Sequence, residues 1–404
     1  MHQLRKATPA RLFFVYTVIC TASNFVHPVT PTLFQMLDFP SYMFGAAFSA
    51  MSLANFLFSP YWGYLSDRHG RRLTMILGMA IYTAGQLAFA MATTVTGVLL
   101  ARVLAGVGSA AYMAVSLAYL VDITTPEQRG KYLAYFMAFQ SLSGSAGYLI
   151  GGVLGDRSIL LSFGAQVVML GVGTLLAWLL IGESRTPQDM ALSRADTGAK
   201  KFYDFQAMGR IMTLPVALFL LSTCLATFGT QGYDNSFNYY IRDVFSFPPS
   251  YNGYIKASTG LVALAANFTL NLWILRRFSP RRALLFLLPL CGVTLLIVPA
   301  MKTTASFLAA CMGFYVFNAI YLPVQQAMMA QIKTENTGLL SGMFTAAKSA
   351  GNFAGPLAVG FLYGLGSKLP FYLAAAAFLL SAATLSACRL SPKTPIQIKE
   401  ESPC

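Results

Sequence analysis

Apolar runs long enough to cross a bilayer recur along the whole chain, and this feature decides what it can fold into. About 20 apolar residues span a hydrocarbon core as one helix. Runs of that kind, bounded by charges and turn residues, fall near 12–35, 43–64, 73–93, 97–121, 131–154 and 159–182. After a polar stretch from Glu183 to Arg210 they recur near 211–240, 252–275, 283–301, 305–330, 339–363 and 369–389. Backbone polar groups cannot stay unpaired in lipid, so each run reads as a helix. The expected fold is all-α, with twelve transmembrane helices in two pseudo-symmetric six-helix bundles. The bundles are residues 1–182 and 211–404, joined by a cytoplasmic linker at 183–210, and the second ends in a short cytoplasmic tail.

Composition excludes the alternatives. Only 10% of the 404 residues are charged, against about 25% in a soluble globular protein. The net charge of +14 does not signal nucleic acid, because Lys and Arg sit in short clusters between apolar runs. The six cysteines are scattered, with no CxxC spacing and no nearby histidine, so neither a disulfide framework nor a metal site is implied. There is no phosphate-binding Gly-x-x-x-x-Gly-Lys loop and no nucleophile–base constellation, so an enzyme is not expected. Without an ATP site, uphill work has to come from an ion gradient; no cofactor is expected.

The positive charges also set the topology. With the N-terminus inside, 21 of the 28 Lys and Arg fall on the cytoplasmic side, among them Arg5, Lys6 and Lys333. Only five, including Lys256 and Lys302, fall outside, while Arg102 and Lys348 lie within spans. Both termini are therefore expected in the cytoplasm.

The two halves resemble each other. Leu65–Arg72 answers Leu275–Arg282 at an offset of 210. Glu127, Gly130, Phe136, Ser141, Gly147 and Gly152 answer Glu335, Gly338, Phe344, Ser349, Gly355 and Gly360 at an offset of 208. A parallel repeat of six spans suits a transporter whose halves rock about a central site.

The segment Gly63-Tyr-Leu-Ser-Asp67-Arg68-His-Gly70-Arg71-Arg72 resembles the signature loop between spans 2 and 3 of the major facilitator superfamily. Gly63 permits close helix approach and Gly70 a turn with positive φ. Asp67 can pair with an arginine or sit at a helix N-terminus, forming with Arg68, Arg71 and Arg72 a latch made in one conformation and broken in another. Arg102-Val-Leu-Ala-Gly106-Val-Gly108-Ser-Ala110 is similar to the span 4 pattern of proton-coupled members, with Ala105 in place of the usual glutamine. Gly147-Tyr-Leu-Ile-Gly151-Gly152 resembles the span 5 antiporter motif, with Tyr148 in place of its proline. Gly147, Gly151 and Gly155 form a stripe for close helix packing, as do Gly351 and Gly355. Pro28-Val-Thr-Pro31 resembles the paired prolines in span 1 of twelve-helix drug:proton antiporters. The resemblance implies a proton-coupled exporter that works as a monomer, and the short loops and brief tail suggest a bacterial inner membrane.

Charges inside a span cost at least about 2.5 kcal/mol each, so they mark function. Four titratable groups qualify: His27, Arg102, Asp234 and Lys348. Asp234 lies in the polar run Gln231-Gly-Tyr-Asp-Asn235-Ser-Phe-Asn238 and is the candidate proton carrier, with Arg102 and His27 assisting. Asn24, its repeat counterpart in span 1, is expected at the same cavity level. Lys348 and its counterpart Gln140 are expected to face the cavity and contact substrate, Lys348 either binding a substrate carboxylate or phosphate or exchanging partners with Asp234 or the substrate. Arg102 falls toward the outer end of span 4, where an arginine can snorkel to the interface. Asn318, Tyr321 and Gln325 share one helical face by i, i+3, i+7 spacing and read as cavity wall, together with Tyr239. The in-span charges sum to a net positive cavity.

These features point to a proton-coupled antiporter that exports small amphipathic organic or drug-like compounds. Its partners are a small-molecule substrate, protons and the lipid bilayer. The alternatives are uptake or facilitative movement of an organic anion, a lipid or glycolipid translocase, and a transport-inactive receptor on the same scaffold.

Overall fold

The computed structural model describes residues 7–195, 212–301, 303–332 and 337–388. Arg5, Lys6, Lys302, Lys333, Glu335, most of the expected linker and the tail lie outside the described residues. The first half comprises α1 (Pro9–Ser23), α2 (Thr30–Met36), α3 (Tyr42–His69), α4 (Arg71–Met91), α5 (Val95–Asp122), α6 (Pro126–Arg157) and α7 (Ile159–Leu180). A short α8 (Pro187–Ala195) follows. The second half comprises α9 (Leu214–Asp243), α10 (Pro249–Ala266), α11 (Leu272–Arg277), α12 (Pro280–Ile297), α13 (Thr304–Ala330), α14 (Thr337–Tyr363) and α15 (Leu369–Ala387). Threonine and serine side chains begin several of these helices by accepting an amide hydrogen bond: Thr94 from Gly97, Ser279 from Arg282 and Thr303 from Ser306.

Among the described residues, eight helices are long and apolar enough to cross a membrane by length and composition, against the twelve expected. The other four expected spans correspond to α1–α2, α6, α10–α11 and α14, which are interrupted or richer in Gly, Ser and Asn. The first expected span is broken: a turn at Asn24–Val29 separates α1 from α2. Pro28 has no N–H to continue the helix and biases His27 away from helical geometry, while Pro31 sits in the first turn of α2. The eighth is interrupted by a π-helical turn at Asn267–Asn271.

Each half buries its own core. One cluster runs from Leu12 to Ile181 around Tyr16, Tyr82 and Tyr119. Another runs from Val216 to Cys388 around Tyr233, Phe237, Phe307 and Phe314. The glycine stripes do the close packing read from sequence. A Cβ on Gly147 or Gly151 would strike the backbone of Thr21 or Phe25, and one on Gly155 the side chain of Val29. In the second half, Gly351 and Gly355 meet the backbone of Cys224 and Phe228 on α9 in the same way.

Contacts joining the halves cluster at the end of the bundle away from the 63–72 loop. Tyr42 stacks on Phe361 at 5.4 Å between ring centroids, the Ser49 hydroxyl donates to the Phe353 carbonyl at 2.7 Å, and Asp156 accepts from the Ser250 amide at 2.9 Å. Two seams rest on glycine pairs. Gly45 of α3 lies against Pro356 and Gly360 of α14, and Gly253 of α10 lies against Tyr148 and Leu149 of α6, whose Gly152 faces Pro249. Gly45 and Gly253 are 208 residues apart, as are Gly152 and Gly360, so one seam repeats the other.

Candidate functional site

Beneath the sealed end lies a cavity of about 190 Å³ lined from both halves. The break after α1 contributes Asn24, His27 and Thr30; α3 gives Phe44 and Phe48, α5 gives Arg102, and α6 gives Tyr148. From the second half come Gln231, Asp234, Asn235 and Asn238 of α9. Thus Asn24, His27, Arg102 and Asp234, singled out separately in the sequence, share one space. A second cavity of about 320 Å³ shares Asn24, His27 and Phe48 with it and adds Asn55, Tyr112, Gln140, Ser349 and Asn352. A third, of about 360 Å³, shares Ser349 and Asn352 and adds Gln326, Thr345 and Lys348. The shared linings connect the three, running from Asp234 toward the loop end.

The Asp234 carboxylate has a partner that sequence reasoning missed. Lys256 donates to its Oδ1 at 2.6 Å, and the Tyr315 hydroxyl donates to the same oxygen at 2.8 Å. The Lys256 ammonium also lies 2.8 Å from the Tyr315 oxygen. Its side chain is 12% exposed and that of Asp234 28%. The sequence reading counts Lys256 with the outer-side charges; the helix α10 starts at Pro249 and carries it about two turns in, where it meets Asp234. Breaking a buried pair leaves one charge without compensation, which costs more than replacing both partners. Lys256→Met alone should lower the thermal midpoint further than Lys256→Met combined with Asp234→Asn, a comparison that differential scanning fluorimetry makes directly.

Arg102 does not snorkel. It is 4% exposed, with its guanidinium 3.9 Å above the Phe89 ring and Nη1 3.8 Å from the Met51 sulfur. Its Nε has no hydrogen-bond partner, and among the described residues no ion pair includes it. His27 stacks on Tyr148, ring centroids 5.4 Å apart. Asn24 donates to the Cys20 carbonyl at 2.8 Å and Asn235 to the Gln231 carbonyl at 2.9 Å. The Oδ1 of Asn238 is buried without a partner.

Other expected site residues fall elsewhere. Lys348 lines the third cavity, its ammonium 5.8 Å from the Phe344 ring, and Asp234 is paired with Lys256 instead. Tyr239 packs edge-on against Tyr363 at 4.7 Å and near Phe44 at 5.7 Å, as part of the seal. The α13 face turns toward α9 and does not line the three cavities: Thr230 donates to Asn318 Oδ1 at 3.0 Å and bonds the Tyr321 hydroxyl at 2.8 Å. Tyr321 is fully buried, and Gln325 is buried with its Oε1 unpartnered. Spacing fixes which residues share a face, not which way that face points.

The signature loop forms a closed network within the first half. Gly70 adopts φ 97°, as the sequence reading allows, but a Cβ on Gly63 would meet nothing within 4 Å, so no close approach occurs there. Arg71 bridges Asp67 at 2.8 Å and Asp122 at 2.9 Å, and Arg185 reaches Asp67 at 3.3 Å. The N-terminus of α4 is capped by Glu183, which accepts from the amides of Arg71 and Arg72 at 2.9 and 3.1 Å. Arg72 donates to the carbonyls of Ile181 and Trp178, and the Arg68 guanidinium lies 4.2 Å over Tyr64. Asp122, Glu183 and Arg185 escaped the sequence reading because each lies far from the loop along the chain. Arg71→Ala removes the cation that Asp67 and Asp122 share, leaving Asp67 the longer contact to Arg185, and should cost about 1 kcal/mol of stability because Asp67 is nearly half exposed, read as a lower unfolding midpoint.

Two helical halves meeting over a central polar cavity that is sealed at one end define a membrane transporter. The chain matches the family model of the Major Facilitator Superfamily over residues 12–318 and 273–403 and belongs to that family. It is a multi-pass membrane protein and not an enzyme. It is 24% identical over 352 residues to Multidrug resistance protein 2 of Bacillus subtilis (strain 168), covering 86% of each chain. It is 23% identical over 366 residues to the Quinolone resistance protein NorA of Staphylococcus aureus (strain COL), covering 90% of this chain and 92% of that one. Among solved structures the fold is similar to the nucleoside transporter NupG, with a TM-score of 0.76 at 11% identity over 94% of this chain and 98% of that one. It is also similar to the xylose transporter XylE from E. coli, with a TM-score of 0.70 at 13% identity, covering 97% and 96%.

Proposed function

We propose that this chain is a proton-coupled antiporter that exports small amphipathic organic compounds by alternating access. In this reading twelve spans form two bundles, residues 1–182 and 211–404, joined by a linker at 183–210. Both termini face the cytoplasm of a bacterium, and the protein works as a monomer in the inner membrane. The sealed end then faces outward and the chain of cavities opens inward. The proton gradient is the energy source, with no cofactor.

The observation that carries the reading is the Asp234–Lys256 pair at 2.6 Å, whose carboxylate lines the cavity between the halves. A carboxylate that has given its proton to the cytoplasm takes an ammonium as partner in the inward-open state; in the outward-open state it takes a proton instead. The names of the bacterial relatives, multidrug resistance and quinolone resistance proteins, support export of drug-like compounds. In the same reading, Arg71 with Asp67 and Asp122 holds the first bundle together on the cytoplasmic side.

The test uses everted vesicles that acidify by respiration. Compounds spanning cations, anions and neutrals are added while lumenal pH is followed. Compound-specific loss of acidification supports antiport. A labelled solute that equilibrates without any proton movement sinks it.

A second reading, facilitative movement of an organic anion, is favoured by one observation: Arg102 is buried in the cavity with no acidic partner among the described residues. Movement of a labelled anion in both directions with no pH dependence would select it.

A further inference from the structure

The three basic side chains in or beside the first cavity are not equivalent. Lys256 is neutralised by Asp234, and His27 stacks on Tyr148. Arg102 is 4% exposed and lines the same cavity. Its described neighbours, the Phe89 ring and the Met51 sulfur, carry no negative charge. A guanidinium shut away from water without an anion is expensive unless it serves one.

We propose that Arg102 is the anchor of a substrate-binding site for organic monoanions, taking a carboxylate or sulfonate head while an apolar or aromatic body lies along Phe44, Phe48 and Tyr148. Arginine presents a planar fork that matches such a head with two parallel hydrogen bonds, and its free Nε is the donor that a bound anion would satisfy. With Asp234 held by Lys256, the carboxylate does not repel the incoming charge in this conformation. Asn24 and Asn238, on opposite halves, border the same space and supply amide groups for further polar atoms of the solute. The proposal rests on reading this cavity as the substrate site, and not on proton coupling. An anion leaving in exchange for an entering proton moves two charges per cycle, so its export responds to membrane potential as well as to pH.

The test is calorimetric binding to purified full-length protein of three probes that share one ring system: 2-naphthoate, 2-naphthylmethylammonium and 2-naphthalenemethanol. The wild type is expected to bind the carboxylate at least about tenfold more tightly than the alcohol, the scale of a charge-assisted hydrogen bond. In Arg102→Gln the carboxylate should fall to the affinity of the alcohol, while the alcohol itself binds unchanged and so reports an intact fold. Arg102→Lys should keep part of the preference.

If Arg102→Gln does not fold, crystals of the wild type with 6-bromo-2-naphthoate decide: a bromine peak in the cavity beside Phe48 supports the site, and none there overturns it. Ammonium binding as tight as carboxylate, an anion preference that survives Arg102→Gln, or no binding by any carboxylate from benzoate to decanoate also overturns it. Each of these leaves the proton-coupled reading standing, since that is read from lumenal pH. Conversely, anion selectivity without proton movement sinks only the coupling.

Discussion

Asp234→Asn is expected to abolish uphill transport while leaving substrate exchange across the membrane intact. Asparagine keeps the size of the side chain and a carbonyl acceptor for the Tyr315 hydroxyl, now 2.8 Å from Oδ1, but it cannot take up and release a proton. One pH unit and 100 mV together supply about 3.7 kcal/mol per proton, enough for roughly a 500-fold accumulation. The variant should lose that factor entirely and bring labelled substrate only to its own electrochemical equilibrium across the membrane. Counterflow with unlabelled substrate should continue, because the rocking of the halves does not require the proton once both states carry ligand. Loss of exchange together with accumulation would show that Asp234 holds the fold or the substrate and is not the coupling group.

Gly45→Val is expected to open the sealed end. A Cβ at this position meets the carbonyl of Pro356 and the Cα of Gly360, both backbone atoms with no freedom to step aside. Overpacking of this kind costs about 2 kcal/mol, roughly a thirtyfold shift between two conformations. The cost falls only on the state in which the α3–α14 seam is closed, so the population moves to the outward-open form. A cysteine placed at Asn238, buried in the present conformation, should react faster with a membrane-impermeant thiol reagent added from outside. Gly152→Val should act the same way, because its Cβ strikes the carbonyl of Pro249 across the second seam. Unchanged labelling in both variants would mean that the seams do not set the balance between states.

The reading from sequence was strongest where a pattern maps to one physical outcome. Long apolar runs read as helices in lipid, and the Gly147–Gly151–Gly155 stripe packs closely, on Thr21 of α1 and on Phe25 and Val29 of the turn after it. Positive φ at Gly70 is a conformation that glycine permits, and the turn adopts it. The sequence was weaker where rotation about a helix axis decides the result. The α13 residues Asn318, Tyr321 and Gln325 share a face, yet that face turns inward toward Thr230. Lys256 was hidden because it falls only four residues into the span read at 252–275 and was counted with the outer-side charges, whereas the start at Pro249 carries it a turn deeper. The break at Asn24–Val29 was half legible: Pro28 marks it, but only the fold reveals that it brings His27 and Asn24 into the space beside Asp234. One signal was present and unused, since Gly45 and Gly253 stand at the same offset of 208 as Gly152 and Gly360.

The central claim, that a proton on Asp234 is exchanged for substrate, is tested most directly by the steady-state accumulation ratio in proteoliposomes of the purified protein. Labelled substrate is measured on both sides while the imposed pH difference is stepped through zero at clamped potential. The account expects the logarithm of the ratio to rise in proportion to the pH difference, with substrate moving against the proton, and to stay flat in Asp234→Asn. A ratio that ignores the pH difference in the wild type, or follows it equally in Asp234→Asn, would contradict the account.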